Sequence, residues 1–408
     1  MRPAMIRRIA AKEILSTLRD RRAIVSNLLI PLLVLPVMML GLPLLMGGLF
    51  EREQATVTEI GVVGMEHLPG ELRAAIEAQN VTLVPVDDVT VAVQELEMPA
   101  ALAVPEGFAE RLAEGGSADV TVAAKVGNMR SELNAGKLQQ AIASYQQNVV
   151  AGRLAAAGLD PAVLQPVRVV TVDASSEAER ASGQLSWLIP FFIAIWTLTG
   201  GQMTAIDATA GEKERGTLEV LLVAPVRRIE IVIGKFLATM LFGLTAAIMA
   251  IVGYMVGALV MRSIFLPRLG EAGSEIVSVM GGSFDLSIGS IGMLLVSAIL
   301  LSAVISALLL GIAMFARSFK EAQSYVAPLS FILILPAVAL QFKDLIGLGD
   351  ASYYIPIFNV LVLMDDVVRG AVSTNAVLLT WGSLTVAIVL LLAFALRNFQ
   401  REDVIFRT

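Results

Sequence analysis

Between Gly211 and Arg228 the chain reads G-E-K-E-R-G-T-L-E-V-L-L-V-A-P-V-R-R. Glu212, Glu214, Arg215 and Glu219 supply alternating charge, while Leu218, Leu221 and Leu222 recur at helical spacing and Pro225 stops the pattern. Such a mixture forms and breaks no bonds. It makes a short amphipathic helix, residues 211–228, whose leucines and charges suit docking. On the residues alone, a solvated interfacial helix fits equally well. Other chemistry has little to work with. Cys is absent, so no thiolate nucleophile, thiolate metal site or disulfide exists. The single histidine, His67, cannot build a multi-histidine metal site. No G-x-x-x-x-G-K-[ST] occurs, so the chain has no P-loop for ATP.

The elements around this segment are those of a membrane protein. Hydrophobic residues make up 56% of the 408 and charged residues 16%, too few charges to cover a soluble chain of this size. Met1–Ala23 carries Arg2, Arg7, Arg8, Lys12, Arg19, Arg21 and Arg22, with Met5, Ile6, Ile9, Ile14, Leu15 and Leu18 at roughly helical spacing. That pattern predicts a cytoplasmic amphipathic helix in the headgroup layer of the lipid bilayer. Ile24–Phe50 is uncharged for 27 residues. As a helix it would extend about 40 Å, against a hydrocarbon core of about 30 Å, with Pro31, Pro36 and Pro43 expected to kink or break it. Five more apolar runs follow: Leu185–Ile206, Phe236–Val260, Leu286–Ala316, Ser324–Phe342 and Ala371–Leu396.

The expected fold is therefore an α-helical polytopic membrane protein of six transmembrane helices. Six crossings place both termini on one side. Basic residues flanking the spans number seventeen on the side of the termini and four in the short segments opposite, so the termini are expected in the cytoplasm. Between the first two spans, Glu51–Gln184 holds nineteen acidic against nine basic residues. Short β-type runs (Glu59–Gly64, Val81–Val86, Ala100–Val104, Val120–Val126) alternate there with helical runs, predicting an extracytoplasmic α/β domain with a partly parallel sheet. A strand at Val167–Val172 and a polar linker at Asp173–Gly183 complete it. No basic, aromatic-interleaved surface appears, which disfavours nucleic acid.

Four further readings concern the spans. Tyr353–Met364, interrupted by Pro356, is too short to cross and reads as a re-entrant or interfacial segment. Asp365, Asp366 and Arg369 read as a solvated helix end, with a gate or lateral-exit role as the lesser alternative. No intramembrane charge stands out, which speaks against an ion-coupled path. Gly253–Gly257 is a G-x-x-x-G that fits packing within the chain or a dimer seam.

The motif E-x-E-R-G-T-x-E-x-L-L-x-x-P, followed by Gly234-Lys235, resembles the cytoplasmic signature of ABC-2 type transporter permeases, and the sodium-extrusion-type branch in particular. The resemblance spans most of the chain. It implies a coupling helix that packs against a separate ABC ATP-binding subunit, with Glu212, Glu214, Arg215, Gly216, Thr217, Glu219 and Pro225 as coupling residues. It also implies that the chain binds no cofactor, that ATP and Mg belong to two copies of that partner, and that a second permease copy or a related permease completes the assembly. Leu198-Thr199-Gly200-Gly201-Gln202 looks superficially like an ABC ATPase signature loop, but it ends an apolar span with no nucleotide fold around it. The implied function is efflux, with sodium, drug and lipid-like cargo all open. An ion-gradient-driven carrier, or an envelope protein whose outer domain binds a partner, are the alternatives.

Overall fold

A computed structural model describes residues 2–95, 97–160, 186–265, 267 and 287–400. The expected strand Val167–Val172 and linker Asp173–Gly183 lie outside these residues. The chain divides into two compact units, Met1–Pro43 with Ala174–Thr408, and Leu44–Asp173.

In chain order, α1 (Pro3–Arg19) is followed by a helical turn Arg21–Ile24, a π-helical turn Val25–Leu29 and α2 (Ile30–Ala55). The second unit then contributes β1 (Thr58–Val63), α3 (Gly70–Glu77), β2 (Val81–Pro85), α4 (Val89–Gln94), β3 (Ala100–Ala103), α5 (Phe108–Ala113), β4 (Thr121–Ala124) and α6 (Met129–Ala156). The first unit resumes with α7 (Leu188–Ile206), a π-helical turn Asp207–Gly211, α8 (Glu212–Glu214), α9 (Thr217–Val223), α10 (Arg228–Val260) and a π-helical turn Met261–Phe265. It ends with α11 (Ile288–Ala313), α12 (Phe319–Ala339), α13 (Phe358–Arg369) and α14 (Thr374–Phe399).

In the second unit the strand order is β2-β1-β3-β4. β1 pairs in parallel with β2 and β3, and β3 pairs antiparallel with β4. Alternate residues Ile60 and Val62, with Leu83 and Leu102, meet Leu72 and Ile76 of α3, Phe108 of α5 and Leu138 of α6 in one core. Asp88 caps α4, accepting from Thr90 N at 2.6 Å and Val91 N at 3.0 Å. Those backbone donors, Val91 first, hold its carboxyl below the usual range.

Among the described residues, five stretches are long and apolar enough to cross a membrane: Leu188–Glu214, Arg228–Ile264, Ile288–Ala313, Phe319–Phe342 and Thr374–Phe399. Val25–Gly41 is a shorter apolar helical stretch. The helix α2 continues past Pro36 and Pro43 instead of breaking there; in apolar surroundings a broken helix would strand backbone groups with no water to satisfy them. The Gly253–Gly257 pair faces this stretch. A Cβ at Gly253 would lie 2.3 Å from Leu32 O, and one at Gly257 3.1 Å from Pro36 Cα. The G-x-x-x-G thus serves close packing inside the chain.

The helical unit buries charged groups beside the spans: Glu13, Glu212, Glu230 and Lys235 are all buried. One expectation about charge is corrected: Asp365 and Asp366 are not a solvated helix end. Every residue of α13 from Phe358 to Val368 is buried, because Tyr353–Met364 folds into a short 3-10 stretch and then into a helix enclosed by the bundle. The two aspartates survive burial because they are paired. Asp365 accepts from Ser186 Oγ at 3.0 Å and from Lys343 Nζ at 3.3 Å, and forms an ion pair with Arg369, Nε to Oδ2 at 3.0 Å. Asp366 accepts from Lys343 Nζ at 2.6 Å and from the Tyr353 hydroxyl. Burial works to lower the Lys343 pKa, but the two aspartates outweigh it and hold it above the ordinary lysine value.

Candidate functional site

The sequence predicts one amphipathic helix over 211–228; the structure breaks it in two. Gly216 has φ +68°, a left-handed conformation that separates α8 from α9 and that residues with a Cβ adopt at a cost. The piece before the break continues from α7 through the π-helical turn Asp207–Gly211. The piece after it, α9, ends where Ala224 turns extended ahead of Pro225.

The motif charges on α8 each bond to a different helix. Glu212 is buried, and its two oxygens take Lys12 Nζ from α1 and Lys235 Nζ from α10, the latter at 2.5 Å. Lys213 Nζ donates to Met314 O and, at 3.4 Å, to Ala316 O just beyond α11, where helix-end carbonyls lack partners. Glu214 Oε2 accepts from Phe319 N at 2.7 Å, a carboxylate on the open N-terminus of α12. Arg215 Nη1 donates to Asp207 Oδ1 at 2.9 Å. Thr217 Oγ1 donates to Glu212 O at 3.3 Å across the break. Pro225 O accepts from Arg2 Nη2 at 2.6 Å.

At the centre stands Lys235, only 2% exposed. Besides Glu212 it donates to Glu13 Oε1 of α1 at 3.0 Å and to Ala208 O at 2.6 Å. Ala208 lies in the π-helical turn, and such turns leave carbonyls off the regular ladder. Glu13 also accepts from Lys12 at 3.1 Å. Two carboxylates and two ammonium groups therefore balance in one cluster. For half-exposed Lys12, burial alone would lower its pKa; bonding to Glu212 and Glu13 outweighs that and raises it. A neighbouring pair repeats the theme, Glu230 accepting from Arg2 N at 2.7 Å, Arg2 Nη2 at 3.1 Å and Arg227 N at 3.2 Å. Gly234 lets α1 lie this close: a Cβ there would come within 2.7 Å of Ile9 Cγ2.

On α9, Leu218 is buried and Leu221 packs beside it against Ile9, Ile231 and Phe399. The opposite side is open. Val220 is 73% and Val223 87% exposed, beside exposed Thr217 and Glu219. Of the predicted coupling residues, then, Glu212 faces inward, Glu214 and Arg215 staple neighbouring helices, and Thr217 and Glu219 share the outward face with two valines that the motif did not single out. Lys12, Glu13 and Glu230 were missed altogether. A signal for Glu13 existed: it is the lone acidic residue of Met1–Arg19, and it continues the Ile6–Ile9 spacing onto the inward face.

A family model described as "ABC-2 family transporter protein" matches residues 27–397. The chain belongs to that family. This ABC-2 permease is also 29% identical to the ABC transporter permease protein NatB of Bacillus subtilis (strain 168), over 402 residues that cover 98% of each chain. No solved structure matches it. Membership makes the chain a multi-pass ABC transporter membrane subunit, a class in which ATP and Mg sit on a partner chain. Among the described residues no cluster of three or more His, Cys, Asp or Glu is placed to hold a metal ion.

Proposed function

We propose that this permease is the transmembrane subunit of an ATP-binding cassette exporter and that α8–α9 is its coupling element. One observation carries the reading. A short helix, α9, with two exposed valines and a glutamate on its outer face follows directly on α8 and Arg215, and Lys213, Glu214 and Arg215 tie this element to the ends of α11, α12 and α7. Bare valines on a surface helix are suited to burial by a partner, and the ties lead force from that partner into three spans at once. The occupant is the separate ATP-binding subunit, present in two copies around two permease chains. Glu212 anchors the element, Gly216 sets its angle, Glu219 and Thr217 face the partner, and Pro225 ends it. Ile24–Phe50 provides the first of six crossings, the termini are cytoplasmic, and the acidic sheet unit lies on the far side.

The test needs no cargo. The chain has no Cys, so a thiol introduced at exposed Ser324 on α12 is the permease's single labelling site, read on the permease band after the subunits are separated. In a purified complex with the ATP-binding subunit, ATP is expected to change that thiol's labelling rate severalfold. Glu214→Ala should retain the subunit and abolish the change. If ATP leaves the rate unaltered in the otherwise native complex, the coupling reading is wrong.

A further inference from the structure

The span α12 is held differently from its neighbours. Only 28% of its apolar window is buried, through the single stripe Val326, Leu329, Leu333 and Ala337, and it contains Pro328 and Pro336, each removing a helix hydrogen bond. α14 is also little buried, but it is pinned in its first three turns by Trp381 Nε1 to Ser297 Oγ at 3.1 Å and by Asn359 Nδ2 to Ser383 Oγ at 2.8 Å. In α12, Ser324 Oγ donates to Lys320 O and the Tyr325 hydroxyl to Glu321 Oε1. Polar ties mark its two ends. Glu214 takes the Phe319 amide at one end; beyond the other, past the 3-10 turn Leu340–Phe342, Lys343 opens a short helix Lys343–Ile346 and reaches Asp365 and Asp366 of α13. Those ends are about 36 Å apart, at about 1.5 Å per residue over Phe319–Phe342.

The two charged clusters also differ in what would follow if their lysine left. Without Lys235, Glu13 and Glu212 share only Lys12. Without Lys343, Asp365 keeps Ser186 and Arg369, and Asp366 keeps Tyr353. Lys343 and Asp366 both line an open cavity of about 410 Å3, with Asp350, Ser352 and Tyr353, where both charges can be hydrated once parted. A buried ion pair is costly to break when a charge is stranded; the cavity lowers that cost for Asp366, which would keep only the Tyr353 hydroxyl, whereas Lys235 and its carboxylates are enclosed. The first cluster is a fixed joint and the second a releasable one.

We infer that Lys343 is a positioning residue for transport, a latch that α12 releases from Asp365 and Asp366 when the coupling element pulls its far end. The idea rests on the coupling proposal for what drives the release, though not for the latch itself. Spin labels at exposed Leu345 and Leu378, introduced as thiols, would measure the separation of the latch end from α14. In full-length permease with its ATP-binding subunit and no nucleotide, one distance is expected; ATP trapping should shift it. Lys343→Met should give the shifted distance without nucleotide. Lys343→Arg, and the exchange Lys343→Asp with Asp366→Lys, should return the native one, which misfolding would not. If Lys343→Met keeps the native distance, or if the charge exchange fails to restore it, the latch is overturned. If ATP has no effect while Lys343→Met still shifts the distance, the latch stands and the coupling proposal fails.

Discussion

Lys235→Met is expected to destabilise the helical unit by about 3–5 kcal/mol, the range for stranding a buried charge by removing its partner. The substitution leaves the Glu13 and Glu212 carboxylates, each 4% exposed at the side chain, facing one another with only half-exposed Lys12 between them. It also strips a donor from Ala208 O. Thermal unfolding of the purified permease in detergent measures the loss. The cause can be separated from lost packing, because adding Glu13→Gln and Glu212→Gln removes the stranded charges and should recover most of the stability. A triple variant as unstable as Lys235→Met would mean that packing, not charge, accounts for the effect.

The paired change Val220→Asp and Val223→Asp should act in the opposite manner, sparing the fold and removing the partner. Both side chains are exposed in the isolated chain, so folding loses little. A fully buried valine contributes about 1.5 kcal/mol or more, and two of them amount to about a hundredfold in affinity; a desolvated aspartate adds to the loss. Binding of the ATP-binding subunit to permease in nanodiscs is the measurement. Unchanged affinity would move the docking face elsewhere.

The sequence disclosed these features unevenly, for physical reasons. Spans announce themselves because lipid tolerates only long apolar helices, and the runs ending at Ile206, Val260, Ala316, Phe342 and Leu396 all fall within, or within a few residues of, observed stretches. The strands at Thr58, Val81, Ala100 and Thr121 stood out by β-branched or small-residue runs between turn residues. The motif located α8–α9 but not its internal break, since Gly216 reveals its left-handed backbone only in place. Most hidden were the buried ion clusters. Glu13 meets Lys235 across 222 positions and Lys12 meets Glu212 across 200, separations no local pattern encodes. Asp365-Asp366 next to Gly370 has the look of a wet helix end, and only the fold brings Lys343 and Tyr353 onto it.

The account turns on the outer face of α9 being the surface that a cytoplasmic ATP-binding subunit covers. A single thiol at Val223, in a chain with no other Cys, tests this with a membrane-impermeant reagent applied to sealed vesicles of either orientation. Labelling is predicted only from the cytoplasmic face, and protection once the subunit is bound. Labelling from the opposite face, or labelling indifferent to the subunit, would contradict the account.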